Sequence, residues 1–520
     1  MMNTGGWRRA AALLFLIGLT VQAGPASEVT LEKVNAALPE LEKLVQQTMD
    51  KTGVPGMAIG VVYRDQVVYL KGFGVREAGT AAAVDPDTVF QLASVSKPIA
   101  STVLAALVGE GVIGWDDRVI DRDPDFRLFD PWVTREVTIR DLLCHRTGLP
   151  GQAADQLEDL GYSREEILYR LRFLRPATSL RSYYDYNNLT YTEAGVAGAR
   201  AAGKSWEELS VEKLYRPLGM TSTSSRFADY QAAPNHALLH VNIDGKWIAK
   251  YTRHPDAESP AGGVSSTVRD MVQWLRLQLG NGKFNGQQLI AAEALAETHR
   301  PQMVNRAPAN PATDQAGLYG LGWGVAYDGG GRVRWSHSGA FDLGAATQVH
   351  LLPAEELGIV ILTNAAPIGV PEGISASFFD LVLDGKVQRD WLGGYGQIFA
   401  SFKEYDGRGT DYSQPPAQKS APLPADAYAG IYHNDFFGDI EVVAKEGGLV
   451  LTAGPSKTPF PLQHWDRDLF LYQPVGEFAG GLSGVAFRVG PDQKAASVVV
   501  ENLDIYSRGQ GTFTRVPAGN

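Results

Sequence analysis

Phe90-Gln91-Leu92-Ala93-Ser94-Val95-Ser96-Lys97-Pro98-Ile99-Ala100 is the stretch whose reading decides the fold. A proline is tolerated in the first turn of a helix, where its missing N–H costs no intrahelical bond. The run behind it, Ile99 to Gly109, is almost wholly apolar and predicts a buried helix that Gly111 and Gly114 close. Ser94 then sits at or just before the helix start, with Lys97 one turn on and facing the same way. That placement gives the serine a backbone N–H at the positive end of a helix and a cation within reach. A serine hydroxyl is a poor nucleophile until a base takes its proton, and a neighbouring lysine is one group that does so. Alone, the S-x-x-K spacing is weak. Ser210-Val-Glu-Lys213 repeats it in a polar, amphipathic run and reads as a solvated helix face.

Working outward, Val29 to Lys51 has helical spacing (Val34, Leu38, Leu41, Leu44, Val45, Met49) and predicts an amphipathic helix. Met57 to Tyr63 and Gln66 to Gly72 are β-rich runs joined by Arg64-Asp65, a tight hairpin. Beyond the decisive stretch, Val137 to Leu143 predicts a short helix leading into Cys144-His-Arg-Thr-Gly-Leu-Pro150. Ser163 to Leu174 is helical, with Ser163 and Glu166 spaced as a capping box. Helices follow over Thr192 to Ala202 and within Ala261 to Gly280. Strands return at Gly322 to Tyr327, Arg332 to Ser338, Ala346 to Leu352 and Gly358 to Thr363. Antiparallel strands at both ends with helices between them predict an α+β fold, one antiparallel sheet flanked by helices.

Residues 386–425 shift towards Gly, Pro, Ser and Gln and read as a linker, with Trp391 to Tyr405 helical. Residues 426–520 carry short, closely spaced strands (Gly430 to Tyr432, Asp439 to Val443, Leu449 to Thr452, Leu469 to Tyr472, Gly484 to Arg488, Ala496 to Val500), which predict a small C-terminal β-barrel or sandwich.

The 520 residues suffice for two or three domains, and the formal charge of −11 without a basic stripe argues against nucleic acid as a partner. Arg8 and Arg9, the apolar run Ala10 to Val21 and the small-residue box Val21-Gln-Ala23 read as a secretory signal peptide over 1–23. Periplasmic or secreted location follows, with no stable membrane anchor once that segment is cleaved. Cys144 is the single cysteine, so no intrachain disulfide forms; it reads as packing. His236 and His240 stand four apart, but without an accompanying acidic or further histidine ligand they read as structural rather than as a metal pair.

Two further elements carry chemistry: Tyr186-Asn-Asn188 in an aromatic, polar loop, and His337-Ser-Gly339 at the end of a predicted strand. Ser259-Pro-Ala-Gly-Gly263 is a weaker third. In this order, S-x-x-K at Ser94–Lys97, Y-x-N at Tyr186–Asn188 and H-x-G at His337–Gly339 resemble the serine family of class C β-lactamases, D-aminopeptidases, penicillin-binding proteins and related esterases. Pro55-Gly-Met-Ala-Ile59, Leu142 to Pro150 and Ala261-Gly-Gly-Val264 support the likeness, which spans about Leu31 to Leu383 within a domain over 24–385. A second Y-x-N, Tyr432-His-Asn434, lies in the C-terminal β region.

The resemblance implies that Ser94 attacks a carbonyl while Lys97 and Tyr186 share the proton transfers, and that water then releases the acyl-enzyme. It implies that Asn188 holds Lys97 and bonds the substrate amide, and that the N–H groups of Ser94 and Ala340, just after Gly339, form an oxyanion hole. No metal or organic cofactor is needed, and the partner is a small molecule or short peptide. Where many relatives carry lysine, this chain has His337, which holds a substrate carboxylate less well. Amide bonds in small peptides, some with D-residues, therefore gain weight over β-lactams. The alternatives are a carboxylesterase of the same family, or a slowly deacylating penicillin-binding receptor.

Overall fold

A computed structural model of the chain describes residues 28–153, 155–404, 412–477, 479, 481–504 and 509–517. The segment read as a signal peptide lies outside the described residues. Helix α1 (Leu31–Thr52) begins where the Thr30 side chain accepts the Lys33 N–H, and ends at Gly53 in the left-handed region. Its buried stripe is Val34, Ala37, Leu41 and Val45, the period a helix lying on a sheet requires. Strands β1 (Gly56–Tyr63) and β2 (Gln66–Gly74) turn on Arg64 and Asp65, both with positive φ (46° and 58°), the backbone that matches the twist of a two-residue hairpin.

Three long helices follow: α2 (Ser96–Gly109), α3 (Asn188–Ala201) and α4 (Val268–Leu279). The sheet then resumes with β3 (Met303–Arg306), β4 (Gly317–Tyr319), β5 (Gly324–Tyr327), β6 (Val333–Phe341), β7 (Ala345–Leu352) and β8 (Leu357–Thr363), before α5 (Val370–Asp384). Its order is β2-β1-β8-β7-β6-β5-β4-β3, antiparallel throughout. The expected α+β sheet is therefore present, closed at its middle by β1 against β8, from Met57↔Thr363 to Tyr63↔Leu357. Strand β1 is buried on both faces. Met57, Ile59 and Val61 pack with α1 and α5, whereas Ala58 and Val62 join the core that holds α2 and α4.

Strands β3 and β4 carry no alternation, so no local pattern in the sequence marks them. The second S-x-x-K departs from its solvated reading: Ser210 is buried and donates to the Trp206 carbonyl (2.8 Å), and Lys213 is paired with Glu110. Its surroundings are a π-helical turn, Val211–Tyr215, rather than a regular amphipathic helix.

The C-terminal strands are β9 (Gly430–Asn434), β10 (Gly438–Lys445), β11 (Gly448–Ala453), β12 (Thr458–Asp466), β13 (Leu469–Tyr472), β14 (Ser483–Val489), β15 (Ala495–Val500) and β16 (Thr512–Arg515). They form a closed barrel in which β9 pairs with β16. Six of these strands are legible in sequence. Strand β12 is disguised by Pro459 and Pro461, both exposed. The barrel shares its core with the larger domain: Tyr162 donates to the Phe437 carbonyl (2.7 Å) and Arg170 to the Phe436 carbonyl (2.8 Å). Among the described residues no helix is long and apolar enough to cross a membrane.

Candidate active site

Ser94 is delivered by a short, pinned segment. Phe90 and Gln91 pair with Ser266 and Ser265, and the Leu92 N–H donates to the Val264 carbonyl (2.9 Å). Ala93 is fully buried with φ 49°, a left-handed backbone that costs a non-glycine residue about 1 kcal/mol and that swings Ser94 into the 3₁₀ turn feeding α2. From the other side, β5 pairs with β6 only as far as Ser336, so His337 to Phe341 present an open edge to this turn. A Cβ on Gly339 would lie 2.1 Å from the Leu92 carbonyl oxygen, and Thr347 Oγ1 on β7 donates to that same oxygen (2.7 Å). The glycine of H-x-G is there because the strand touches the nucleophile turn. Ala340, next along, is exposed on this edge.

Tyr186 and Asn188 reach Ser94 because the residue between them is an anchor. Asn187 caps α3 by accepting the Thr190 N–H (2.9 Å), donates from Nδ2 to the Pro150 carbonyl (2.9 Å), and gives its N–H to His145 Nδ1 (3.2 Å). With Asn187 fixed, Tyr186 OH donates to Ser94 Oγ at 2.8 Å and Asn188 Oδ1 accepts from Lys97 Nζ at 2.6 Å. Lys97, which has no solvent exposure, also lies 3.2 Å from Ser94 Oγ and donates to the Ala261 carbonyl (3.0 Å), so the Ser259 to Gly263 segment, a short helix over Ser259–Gly262, belongs to the cluster. Its ammonium sits 4.5 Å from the centre of the Tyr186 ring.

Burial pushes the Lys97 amine down to about 7, against the opposing pull of Glu258 and Asp155. Desolvation raises the Tyr186 phenol well above its ordinary range, which keeps it protonated. His337 is buried, with Nε2 3.0 Å from Tyr319 OH and Nδ1 2.7 Å from the Ser338 carbonyl. Burial, and then the Lys97 charge, push it down to about 3, so it is neutral. His145 is likewise held neutral by burial and packs its ring against Tyr186 (4.5 Å between centres).

The structure thus gathers Ser94, Lys97, Tyr186 and Asn188 into one hydrogen-bonded cluster, with His337, Gly339 and Ala340 along its strand edge. Asp155, Glu258, Tyr319 and Tyr191, whose OH donates to the Lys97 carbonyl (2.7 Å), carry no motif that sequence reasoning could find. Asp155 and Glu258 lie in short turns without periodicity, and only the fold turns them towards the lysine. Cys144 is buried and its thiol pushed up to about 12. His240 accepts the Ala78 N–H at Nε2 (3.0 Å) and faces the Asn364 carbonyl with Nδ1 (2.9 Å), while His236 Nδ1 lies against the Ala233 carbonyl. In the barrel's Y-x-N, Asn434 donates to the Gln510 carbonyl (2.8 Å).

The Beta-lactamase family model matches residues 41–374, most of the chain. The chain belongs to the beta-lactamase family. A second model, a domain of unknown function (DUF3471), covers residues 414–511, the barrel of this beta-lactamase family member. Its relatives include "Unguisins hydrolase ungD'" of Aspergillus campestris, 26% identical over 87% of each chain. Penicillin-binding protein 4 of Amycolatopsis lactamdurans is 27% identical over 63% of this chain and 83% of its own. The octameric penicillin-binding protein homologue of Pyrococcus abyssi shares the fold: TM-score 0.60, 20% identity, 89% of this chain and 98% of that one.

The barrel meets the segments that flank this site. Between β13 and β14, Glu477 takes the Asp342 N–H, just past β6, on its carboxylate and gives its own N–H to the Asp159 carboxylate (3.0 and 3.1 Å). Gly476 (φ 92°) permits it, since a Cβ there would lie 2.0 Å from Asp159 Cγ. Arg253 sits among these acids, 2.7 Å from Glu158, 3.2 Å from Asp159 and 4.0 Å from Glu477.

Proposed function

We propose that this beta-lactamase family member is an exported serine acyl hydrolase, periplasmic or secreted, that cuts amide bonds through a Ser94 acyl-enzyme. The observation that carries the reading is the double hydrogen bond at Ser94 Oγ, to Lys97 Nζ and Tyr186 OH. The two carbonyl oxygens beside Lys97, from Ala261 and Asn188, accept only. When the amine is neutral, its two N–H groups go to them and its lone pair is left facing Ser94 Oγ. Lys97 is then the base and Tyr186 a phenol that donates to the same oxygen.

In acylation the Ser94 Oγ–carbon bond forms and the serine proton passes to Lys97. The tetrahedral oxyanion sits near the Ser94 and Ala340 N–H groups. Its collapse breaks the bond to the leaving nitrogen, which takes the proton back from Lys97 by way of the Tyr186 hydroxyl. Water repeats the sequence on the acyl-enzyme. The substrate is a small molecule or short peptide, and no cofactor takes part. A neutral His337 with both nitrogens engaged favours substrates that carry no carboxylate at that end, which supports amides of small peptides over β-lactams. The hydrolase among the relatives supports cleavage over binding alone.

The test is a panel of p-nitrophenyl esters, L- and D-aminoacyl anilides and nitrocefin, run on wild type and Ser94→Ala. Turnover of anilides that Ser94→Ala abolishes supports the reading. Faster ester turnover would make it an esterase, and stoichiometric penicillin labelling without turnover a receptor.

A further inference from the structure

Behind Asn188 stands a carboxylate that the catalytic scheme above does not use. Asn188 Nδ2 donates to Asp155 Oδ2 at 2.7 Å, while Asn188 Oδ1 receives Lys97 Nζ at 2.6 Å. Asp155 is 3% exposed and directly precedes the short helix Gln156–Asp159. We propose that Asp155 is a positioning residue for acylation: by accepting from Asn188 it fixes which end of that amide meets Lys97, and so where the lysine lone pair points. The proposal rests on Lys97 acting as the base for Ser94.

Donors and acceptors decide the orientation. An amide can turn by 180° and exchange its oxygen for its nitrogen at almost no steric cost. A carboxylate accepts only, so opposite Asp155 the amide must show Nδ2, and its oxygen must face Lys97. If the amide turned, its N–H would point at Lys97 and would take the lone pair that Ser94 needs. Asp155 therefore acts on the base without touching the reacting atoms.

The same carboxylate also sets the charge around the amine. Lys97 faces Glu258, Asp155 and the neutral Tyr186, His145 and His337. Asp155 in turn faces Arg253, Asp159, Glu158 and Glu258. Burial holds its own carboxyl up, while Asn188 and Lys97 pull it back down, and the carboxylate in turn favours the ammonium. Asp159, on that helix, is held by the Glu477 N–H of the barrel, which ties the Asp155 turn to the C-terminal domain.

The test is the pH dependence of Ser94 labelling by a fluorophosphonate, which reads the nucleophile without a known substrate. The Ser94 Oγ–phosphorus bond forms, fluoride leaves, and the serine proton passes to Lys97. Asp155→Asn keeps size and removes charge. It is expected to label about 10- to 100-fold more slowly at alkaline pH, because the amide can now turn. Its acid limb should also move down by roughly half a pH unit or more, because the lysine loses a neighbouring negative charge.

Wild-type rate, or a slower rate with the limb unmoved, overturns the proposal, since mere packing would leave the limb in place. If Asp155→Asn does not fold, the exchange variant D155N/N188D takes its place. There a carboxylate lies directly on the amine and the limb should rise; an unmoved limb, or no labelling at any pH, overturns the proposal. Ser94→Ala separates the two readings. If it labels like wild type, the Ser94 reading fails and the proposal falls with it. If it is silent while D155N matches wild type, only the Asp155 assignment falls.

Discussion

Gly339 and Leu92 stand so close that no other residue fits: a side chain on the glycine would begin 2.1 Å from the Leu92 carbonyl oxygen. The absent side chain lets the open edge of β6 lie against the turn that carries Ser94, where Thr347 Oγ1 also donates to the Leu92 carbonyl. Gly339→Ala must push the two apart. Overpacking of this kind costs about 1–3 kcal/mol of stability. The larger effect falls on catalysis, where a displacement of about 1 Å costs on the order of 100-fold. The measurement is kcat/KM beside a thermal melt; a variant with near-wild-type activity would mean that the strand does not set the oxyanion geometry.

Acylation should rise with pH. The Lys97 amine is pushed down to about 7, and only its neutral form takes the serine proton, so activity is lost as pH falls through that value. A kcat/KM profile over roughly pH 5 to 9 should show this limb. A flat profile would remove Lys97 from the role of base.

Tyr186→Phe removes the phenol that donates to Ser94 Oγ and leaves the amine. Loss of general acid–base help on this scale is about 10²–10⁴-fold in rate. The acid limb should stay near its wild-type position, because the limb belongs to Lys97. Its disappearance would instead make Tyr186 the titrating base.

His337 should confer little preference for acidic substrates. It is neutral, and its two ring nitrogens already meet Tyr319 and the Ser338 carbonyl. Matched substrates differing by a free carboxylate and its methyl ester should differ less than about tenfold in KM, under 1.4 kcal/mol. A strong preference for the acid would point to a cation elsewhere in the cleft.

Arg253→Met should destabilise the whole chain. It strands Glu158, Asp159 and Glu477, three acids from two domains, around an uncharged side chain. Removing one partner of a buried ionic group costs about 3–5 kcal/mol. Denaturant unfolding should show it, and an unchanged midpoint would mean that this ionic cluster adds nothing to the apolar packing and the Tyr162 and Arg170 hydrogen bonds that also hold the barrel.

Much of this molecule is written locally. The Arg64-Asp65 turn is readable from its spacing, and so is the Ser163–Glu166 capping box, which forms as expected with Ser163 accepting the Glu166 N–H. Helix α2 is announced by Pro98 and the apolar run behind it. By contrast, the β-rich run into β1 reveals nothing of β8 beside it, because that pairing joins residues about 300 positions apart and no local rule encodes it. Strand β12 hides behind two prolines whose missing N–H groups are harmless in the barrel but read as breakers in a sequence.

By itself, then, the sequence determined the chemical vocabulary: a serine, a lysine one turn on, a phenol and an amide two residues apart, and a histidine two before a glycine. Side-chain type and short spacing are enough for that. Tertiary structure alone decided that burial leaves the Lys97 amine near neutrality, that His337 spends both nitrogens on the protein, and that Asp155 stands behind Asn188. Those outcomes depend on desolvation and on hydrogen bonds between segments distant in the chain, and neither exists until the sheet has closed around them.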